Sequence, residues 1–380
     1  MLAFWGMTAA ADENRARMIV VIKIAARGDL LLAAPAFRYL RESRRGERIV
    51  LVVGESCRDV AEHLPYFDEI RTIDDRALFT GSPIAKLRVV GELLRILRSA
   101  RGGGHSEAIV LHRDWRYGVV AWLAGVKTRR GFSSGRGDRF LTHPYRAGER
   151  EHHEAQYLGV MGGSGAVLPG PATLWRFAPG ERERALQKAA SLGLEVDGRP
   201  LLALGFGGGR NVKMAVDLKL WPLERYVELA GRLEEEGMRA VWLGDGHDAE
   251  RLGEVDPGVN LAGRLSVVET AAVVSASRLV IANDTMLLHL GRVLGIPALG
   301  IFGPTDPAHT GPHLPGSAYL WLGPDRVPCS PCHQDGYYPP CRFEHRCMRE
   351  LPVEAVLRTA LRLLRAEPSA AGLDRSVGVG

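Results

Sequence analysis

Twice along this chain, short β-branched and aliphatic runs alternate with stretches whose apolar residues recur at helical spacing, and that alternation restricts the possible folds more than any other feature. In the first half "MIVVIKI" leads into "DLLLAAPAFRYLRE", "RIVLVVG" into "CRDVAEHL", and "AIVLH" into "RYGVVAWLAG". The second half repeats the scheme with "PLLALGFG", a helix expected from Pro222 to Gly237, "RAVWLGD", "SVVETAAVVSASR", "LVIAND", "TMLLHLGRVLG" and "PALGIFGP". Strands apolar on both faces and separated by helices belong to parallel sheets, because helical crossovers cover both faces of the sheet. The expectation is α/β: two doubly wound domains in tandem. Such sheets bind ligands outside the carboxyl ends of their strands, so functional residues are expected where strands lead into helices.

At 380 residues the chain is too long for one ordinary core and suits two. The Gly- and Arg-rich "RRGFSSGRGDRFLTHPYRAGER" shows no periodicity, and "SGAVLPGPAT" reads as a linker. The expected division is a loose extension over 1–17, a first domain over 18–172, a second over 173–366 and a tail over 367–380. The extension has no basic segment before its apolar patch and carries Asp12 and Glu13 after it, unlike a secretory signal. No apolar run reaches the ~18 residues that cross a bilayer, so no membrane span is expected, and four of the five cysteines crowded into one segment fit a reducing cytoplasm better than a secreted disulfide scaffold. A net charge of +5 and a pI near 9.0 fit either a solvated arginine-rich surface or an anionic partner. No aromatic-interleaved basic stripe is present, which points away from nucleic acid.

Asp284 follows the apolar "RLVIAN" and is expected to open a helix that carries Thr285 and His289 one turn apart. Free backbone N–H groups and the positive end of the helix dipole would suit a phosphate or ribose there, although a cap and a satisfied imidazole explain the same residues. The loop Gly303-Pro304-Thr305-Asp306-Pro307 ends the next strand at the same edge. In "GFGGGRN", Gly207 and Gly208 let backbone amides approach an anion, without the spacing of a P-loop. Lys219 stands before Trp221-Pro222, with Pro222 expected at the first helical position; it is either a diphosphate partner or a solvated lysine. Asp29 in "IKIAARGDLLLAAPAF" is expected at the N-cap of a helix beginning near Leu30, where an acid stabilises by about 1 kcal/mol, and Pro35 should bend that helix. The same carboxylate is sited to act as a general base. His112, Arg113 and Arg130 meet either acceptor phosphates or water. Cys329, Cys332, Cys341 and Cys347 lie within one short segment, for which structural zinc, disulfides and free thiols all stay open.

Together these stretches resemble glycosyltransferase family 9, the ADP-heptose:lipopolysaccharide heptosyltransferases, from about Met18 to Arg365. "GDLLLAAPAFRYLR", "KLWPLERYVELAGRL" and "NLAGRLSVVETAAVVSASRLVIANDTMLLHLGRVLGIPALGIFGPTDP" are similar to three ordered segments of that family. The resemblance implies a GT-B fold, two Rossmann-like domains facing a cleft, with acceptor on the N-terminal side and nucleotide sugar on the C-terminal side. It implies an inverting glycosyltransferase that moves a heptose or related sugar, with ADP-heptose as donor, onto a lipopolysaccharide-core or other surface glycan. Asp29 then corresponds to the catalytic base and Lys219 to the diphosphate lysine. Asp284, Thr285 and His289 correspond to the donor motif. No cofactor or metal is then required, and peripheral contact with the anionic inner leaflet of the cytoplasmic membrane is implied. Where the family usually has glycine after the Asp-Thr pair, this chain has Met286; glycine permits φ > 0, so a changed loop is expected. The other reading is a non-catalytic sugar-nucleotide or glycan-binding protein of the same fold.

Overall fold

The computed structural model describes residues 18–99, 106–163, 173–195, 197–209, 217–254, 257–333 and 337–365. The expected extension, the tail, the linker "SGAVLPGP" and most of Asn211–Leu218 lie outside the described residues. The chain divides into two compact units, Met1–Ala26 with Ala33–Leu168, and Arg27–Leu32 with Pro169–Gly380. The short Asp29 segment thus belongs with the C-terminal unit.

The first unit holds a six-stranded parallel sheet: β1 (Met18–Ile22), β2 (Arg48–Gly54), β3 (Glu69–Ile73), β4 (Ser106–Val110), β5 (Thr128–Phe132) and β6 (His143–Tyr145), in the order β3-β2-β1-β4-β5-β6. Central β1 pairs Val20 with Val50 on one side and with Ala108 on the other. Its residues Ile19–Ile22 are fully buried, as expected of a strand covered on both faces. The helix Pro83–Ser99 lays Val89, Leu93 and Leu97, spaced four apart, onto Val20, Ile22, Val52 and Val110. The stretch read as irregular after Lys127 in fact contains β5 and β6. The register of β5 is set by pairing with β4 and that of β6 by pairing with β5, and the residues Arg129, Arg130, His143 and Pro144 carry no apolar alternation that would show it.

The second unit repeats the topology with β7 (Leu201–Gly205), β8 (Arg239–Leu243), β9 (Val259–Asn260), β10 (Leu279–Asn283), β11 (Ala298–Phe302) and β12 (Ala318–Trp321), in the order β12-β11-β10-β7-β8-β9. Counted from the first strand of each unit, both sheets run 3-2-1-4-5-6, the dinucleotide-fold order, and the order reverses between β1 and β4 and between β7 and β10. Leu202, Leu204, Ile281, Leu299 and Ile301 are covered on one face by Tyr226, Leu229, Ala230 and Leu233 of the helix Leu223–Glu235 and by the helix Val353–Arg365.

Four local expectations are corrected. The helix near Asp29 starts at Arg27 and ends at Leu32, so Asp29 lies in its first turn and is not the N-cap. Pro35 does not bend that helix; a second helix, Ala34–Ser43, takes it within its first two positions, where a missing N–H costs nothing. Pro222 is the N-cap of Leu223–Glu235 and not its first residue. Thr285, not Asp284, caps the helix Met286–Leu294.

Candidate functional site

The switch point between β7 and β10 is where this fold opens a crevice, and both strands deliver polar residues there. Asn283, the last residue of β10, is fully buried and donates from Nδ2 to the carbonyls of Phe206 (3.1 Å) and Gly207 (2.9 Å). Its Oδ1 accepts from the Tyr226 hydroxyl at 3.1 Å, and that hydroxyl also lies 3.2 Å from the Gly205 carbonyl. One amide therefore ties the start of the glycine loop to the end of the neighbouring strand. Gly205 is needed here because a Cβ would stand 2.6 Å from Leu287 Cδ2. Gly207 is needed because its Cβ would enter the carboxylate of Asp248, the N3 residue of a capping box on Asp245. Gly208 continues the same loop, and the loop beyond Gly209 lies outside the described residues.

Asp284 comes next in the chain and is buried. Its Oδ2 accepts from Lys219 Nζ at 2.7 Å, its backbone carbonyl accepts from the same ammonium at 3.0 Å, and Thr310 Oγ1 donates to its Oδ1 at 3.0 Å. His289 Nε2 lies 4.0 Å from Oδ1. Burial works to raise the Asp284 carboxyl, but the Lys219 ammonium and His289 outweigh it and hold the group far below the usual carboxylate range. Burial likewise works to lower the Lys219 ammonium, and the Asp284 carboxylate outweighs it, so the lysine stays raised. The pair is charged throughout the neutral range.

Lys219 reaches this position from the short turn Asp217–Lys219, which is anchored by Trp221. The Trp221 indole is fully buried and donates to the Leu351 carbonyl at 3.0 Å. Its loss would cost about 3–5 kcal/mol. Tyr338 completes the surroundings, with its ring centroid 5.8 Å from Lys219 Nζ. Burial raises its phenol. Ser330, Cys332 and His333, earlier in the sequence, are tied to the Gly303–Pro304 loop. Ser330 Oγ donates to the Gly303 carbonyl at 2.5 Å, and the Cys332 and His333 amides donate to the Pro304 carbonyl at 3.0 and 2.9 Å.

Arg27–Leu32 packs on the helix Met286–Leu294, with Leu30, Leu31 and Leu32 buried. A Cβ at Gly28 would stand 3.2 Å from His289 Cδ2 and 3.7 Å from Met286 Cα, so the backbone next to Asp29 runs against the His289 imidazole. The Met286 substitution needs no changed loop. It occupies the first turn of a regular helix, and among the described residues only Glu344 and His345 are non-glycines with positive φ.

The other candidates lie elsewhere. In the N-terminal unit, His112 Nε2 accepts from the Ile24 amide at 2.8 Å, just beyond the carboxyl ends of β1 and β4. Arg113 is held nearby, donating to Gln156 Oε1 at 2.7 Å with its guanidinium 5.0 Å from the Phe132 ring centroid. Arg130 does not join them. Its guanidinium bonds Glu107 at 2.6 Å and lines a recess of about 400 Å³ with Arg44, Glu47, Ser106 and Thr128, residues at the amino ends of the strands. The clustered cysteines form no disulfide, and the fold brings them near one another, since Cys329, Cys332 and Cys341 all act on the Cys347 thiol. Burial pushes the Cys347 thiol up to about 12, which suits packing and not nucleophilic work.

Sequence reasoning found Lys219 and Asp284 but missed Asn283, Thr310 and Tyr338. Asn283 ends an apolar strand where an uncharged amide must find partners, a signal that was present in "LVIAND". Thr310 and Tyr338 are 26 and 54 residues from Asp284 and carried no such mark.

Comparison with known proteins agrees with this layout. The family model of glycosyltransferase family 9 (heptosyltransferase) matches residues 93–336, more than half of the chain. Lipopolysaccharide heptosyltransferase 2 of Escherichia coli K12 is 26% identical over 308 residues, covering 75% of this chain and 82% of that protein. Lipopolysaccharide heptosyltransferase 1 of Pseudomonas aeruginosa is 40% identical over 119 residues, a match that spans 30% of this chain and only 32% of that protein. Among solved structures, a family 9 glycosyltransferase of Veillonella parvula superposes with a TM-score of 0.73 at 23% identity, covering 93% of this chain and 98% of its own. E. coli ADP-heptose lps heptosyltransferase II superposes at 0.68 and 19%, covering 91% and 98%. At those identities the structural likeness speaks for the GT-B fold, and the family model carries the membership. The chain belongs to glycosyltransferase family 9, the heptosyltransferase family.

Proposed function

We propose that this glycosyltransferase moves heptose from ADP-heptose to a sugar hydroxyl of a lipopolysaccharide core, with inversion at the anomeric carbon. The observation that carries the reading is the Lys219–Asp284 pair at the mouth of the β7/β10 crevice. The Lys219 ammonium has three donors, and Asp284 takes two of them. Tyr338 also hydrogen-bonds this ammonium, so a diphosphate oxygen would meet the lysine's charge by displacing the phenol. Asp284 is then a positioning residue, which keeps the ammonium charged and aimed. The N-terminal N–H groups of the helix Met286–Leu294 add partial positive charge where the leaving diphosphate gains negative charge.

Asp29 shares the C-terminal unit with this pair, and its neighbour Gly28 lies against His289. Its carboxylate takes the proton of the acceptor hydroxyl as that oxygen attacks C1 of the heptose from the face opposite ADP. The C1–O bond to the diphosphate breaks, and its electron pair leaves with ADP. His112 and Arg113 are assigned to the acceptor, Arg130 only as a remote contact because Glu107 already holds it. The acceptor is lipid-anchored, which places the enzyme at the anionic inner face of the cytoplasmic membrane. Among the described residues no helix is long and apolar enough to cross it.

Calorimetric titration with ADP, UDP and GDP tests the donor assignment. ADP should bind the wild type selectively and bind Asp284→Ala weakly. A preference for UDP or GDP would overturn ADP-heptose as donor, and binding of none would favour a protein without turnover.

A further inference from the structure

The N-terminal unit carries an aromatic face that nothing in the catalytic reading uses. Trp115, Trp122 and Leu123 are 47%, 50% and 54% exposed, although a soluble surface rarely leaves three such side chains together. Trp115 and Trp122 are seven residues apart, two turns along the helix Arg116–Leu123, and so share one side of it. Phe140, from a separate turn, joins them. Its ring centroid lies 6.1 Å from that of Trp115 and 5.5 Å from that of Trp122. The turn is held in place by Arg129, whose Nε donates to the Phe140 carbonyl at 2.6 Å and whose guanidinium also bonds the Lys127 carbonyl at 3.1 Å.

The rim of this face is basic. Arg139 stacks its guanidinium 4.8 Å from the Phe140 ring centroid, and Arg116, Lys127, Arg136 and Arg139 are all exposed. The acids nearby are already engaged: Asp114 with Arg116 at 2.6 Å, and Asp138 with Ser133 Oγ at 2.7 Å and the Ser134 amide at 2.8 Å. Tryptophan bodies flanked by arginine and lysine are the chemistry of a lipid headgroup boundary, where rings sit at the interface and cations meet phosphates.

We propose that Trp115, Trp122, Leu123 and Phe140, with Arg136, Arg139 and Lys127 around them, are the surface that seats this enzyme on an anionic bilayer. The proposal deepens the lipid-anchored acceptor reading but does not depend on donor or base. The test is co-sedimentation of the full chain with vesicles of phosphatidylcholine alone and with phosphatidylglycerol added, at low and high salt. Wild-type protein should bind only the mixed vesicles and release as salt rises. Trp122→Ser with Leu123→Ser should weaken binding about tenfold. Arg139→Glu, which leaves the rings in place, should weaken it about fivefold or more. Heptose transfer to a delipidated, soluble acceptor is measured in parallel and should be unchanged in both variants.

No vesicle binding by the wild type, or equal binding by the variants, overturns the proposal. So does concentration-dependent dimerisation that Trp122→Ser abolishes while vesicles stay unbound, since the face would then serve a second copy. Patch-dependent vesicle binding without transfer would instead sink the catalytic reading and leave this surface standing.

Discussion

Asp284→Asn removes a buried charge just after β10 while keeping the side chain's volume. Lys219 is then left with its side chain only 15% exposed and no carboxylate partner. Breaking a buried pair by removing one partner costs about 3–5 kcal/mol. In a unit of this size each kcal/mol shifts Tm by about 2–4 °C, so the C-terminal transition should fall by on the order of 10 °C. The lysine, no longer held charged and aimed, also loses its bond to the diphosphate. A hydrogen bond to a charged group is worth about 1.5–3 kcal/mol, which corresponds to roughly a 10- to 150-fold weaker Kd for ADP. Lys219→Met should show both losses. The double variant should recover much of the stability, because no uncompensated charge remains buried, yet it should not recover ADP binding. Scanning calorimetry and ADP titration read the two quantities separately. A wild-type Tm and ADP affinity in Asp284→Asn would refute the reasoning, as would single losses that simply add in the double variant.

Further expectations concern the same crevice. Asp284 lies below the usual carboxylate range, so its stabilisation is present above about pH 4 and disappears as pH falls through its depressed value. Lys219 lies above its ordinary value, so its share is present below about pH 10 and disappears as pH rises through the raised one. The stability gap between wild type and the double variant should therefore be flat from about pH 8 to 10, above the ordinary range of the His289 imidazole that also faces Asp284; thermal unfolding that shows a slope in that window would contradict the pairing. Asn283→Ala breaks the clamp on the glycine loop and should cost about 2–4 kcal/mol by denaturant unfolding, with ADP affinity falling alongside; intact ADP binding would separate the loop from the donor. Tyr338→Phe keeps the ring near Lys219 and should bind ADP nearly as the wild type does. Tyr338→Ala should lose about 2- to 30-fold by the same titration, and equal effects of the two would assign the contribution to the hydroxyl.

The strands that position the site were legible because their burial on both faces writes a continuous apolar run: "MIVVI", "LLALG", "LVIAN" and "ALGIF" each became a central strand. Three of the four edge strands, β3, β6 and β9, were not, since "EIRTI", "HPY" and "VN" are largely half exposed and their extension comes from pairing with a neighbour. Lys219 and Asp284 stood out as charges beside apolar strand and helix signals. Tyr338 did not, because it meets Lys219 only through the fold, 119 residues further along the chain, and no local pattern encodes that contact. The start of the Asp29 helix was misjudged for a related reason: Gly28 is a weak helix former, and packing against Met286–Leu294 overrides that preference. The exposed tryptophans were visible in "RDWRYGVVAWLAG" but indistinguishable there from a core stripe, since exposure is a property of the fold.

The most direct test of the catalytic account is a single-turnover assay of heptose transfer from ADP-heptose to a soluble lipopolysaccharide-core acceptor, run on wild type and Asp29→Asn with ADP affinity measured on the same samples. The account predicts transfer by the wild type and a loss of at least about a hundredfold in Asp29→Asn, as expected for removing a general base, with ADP affinity unchanged. Undiminished transfer by Asp29→Asn would contradict the assignment of Asp29 as the base.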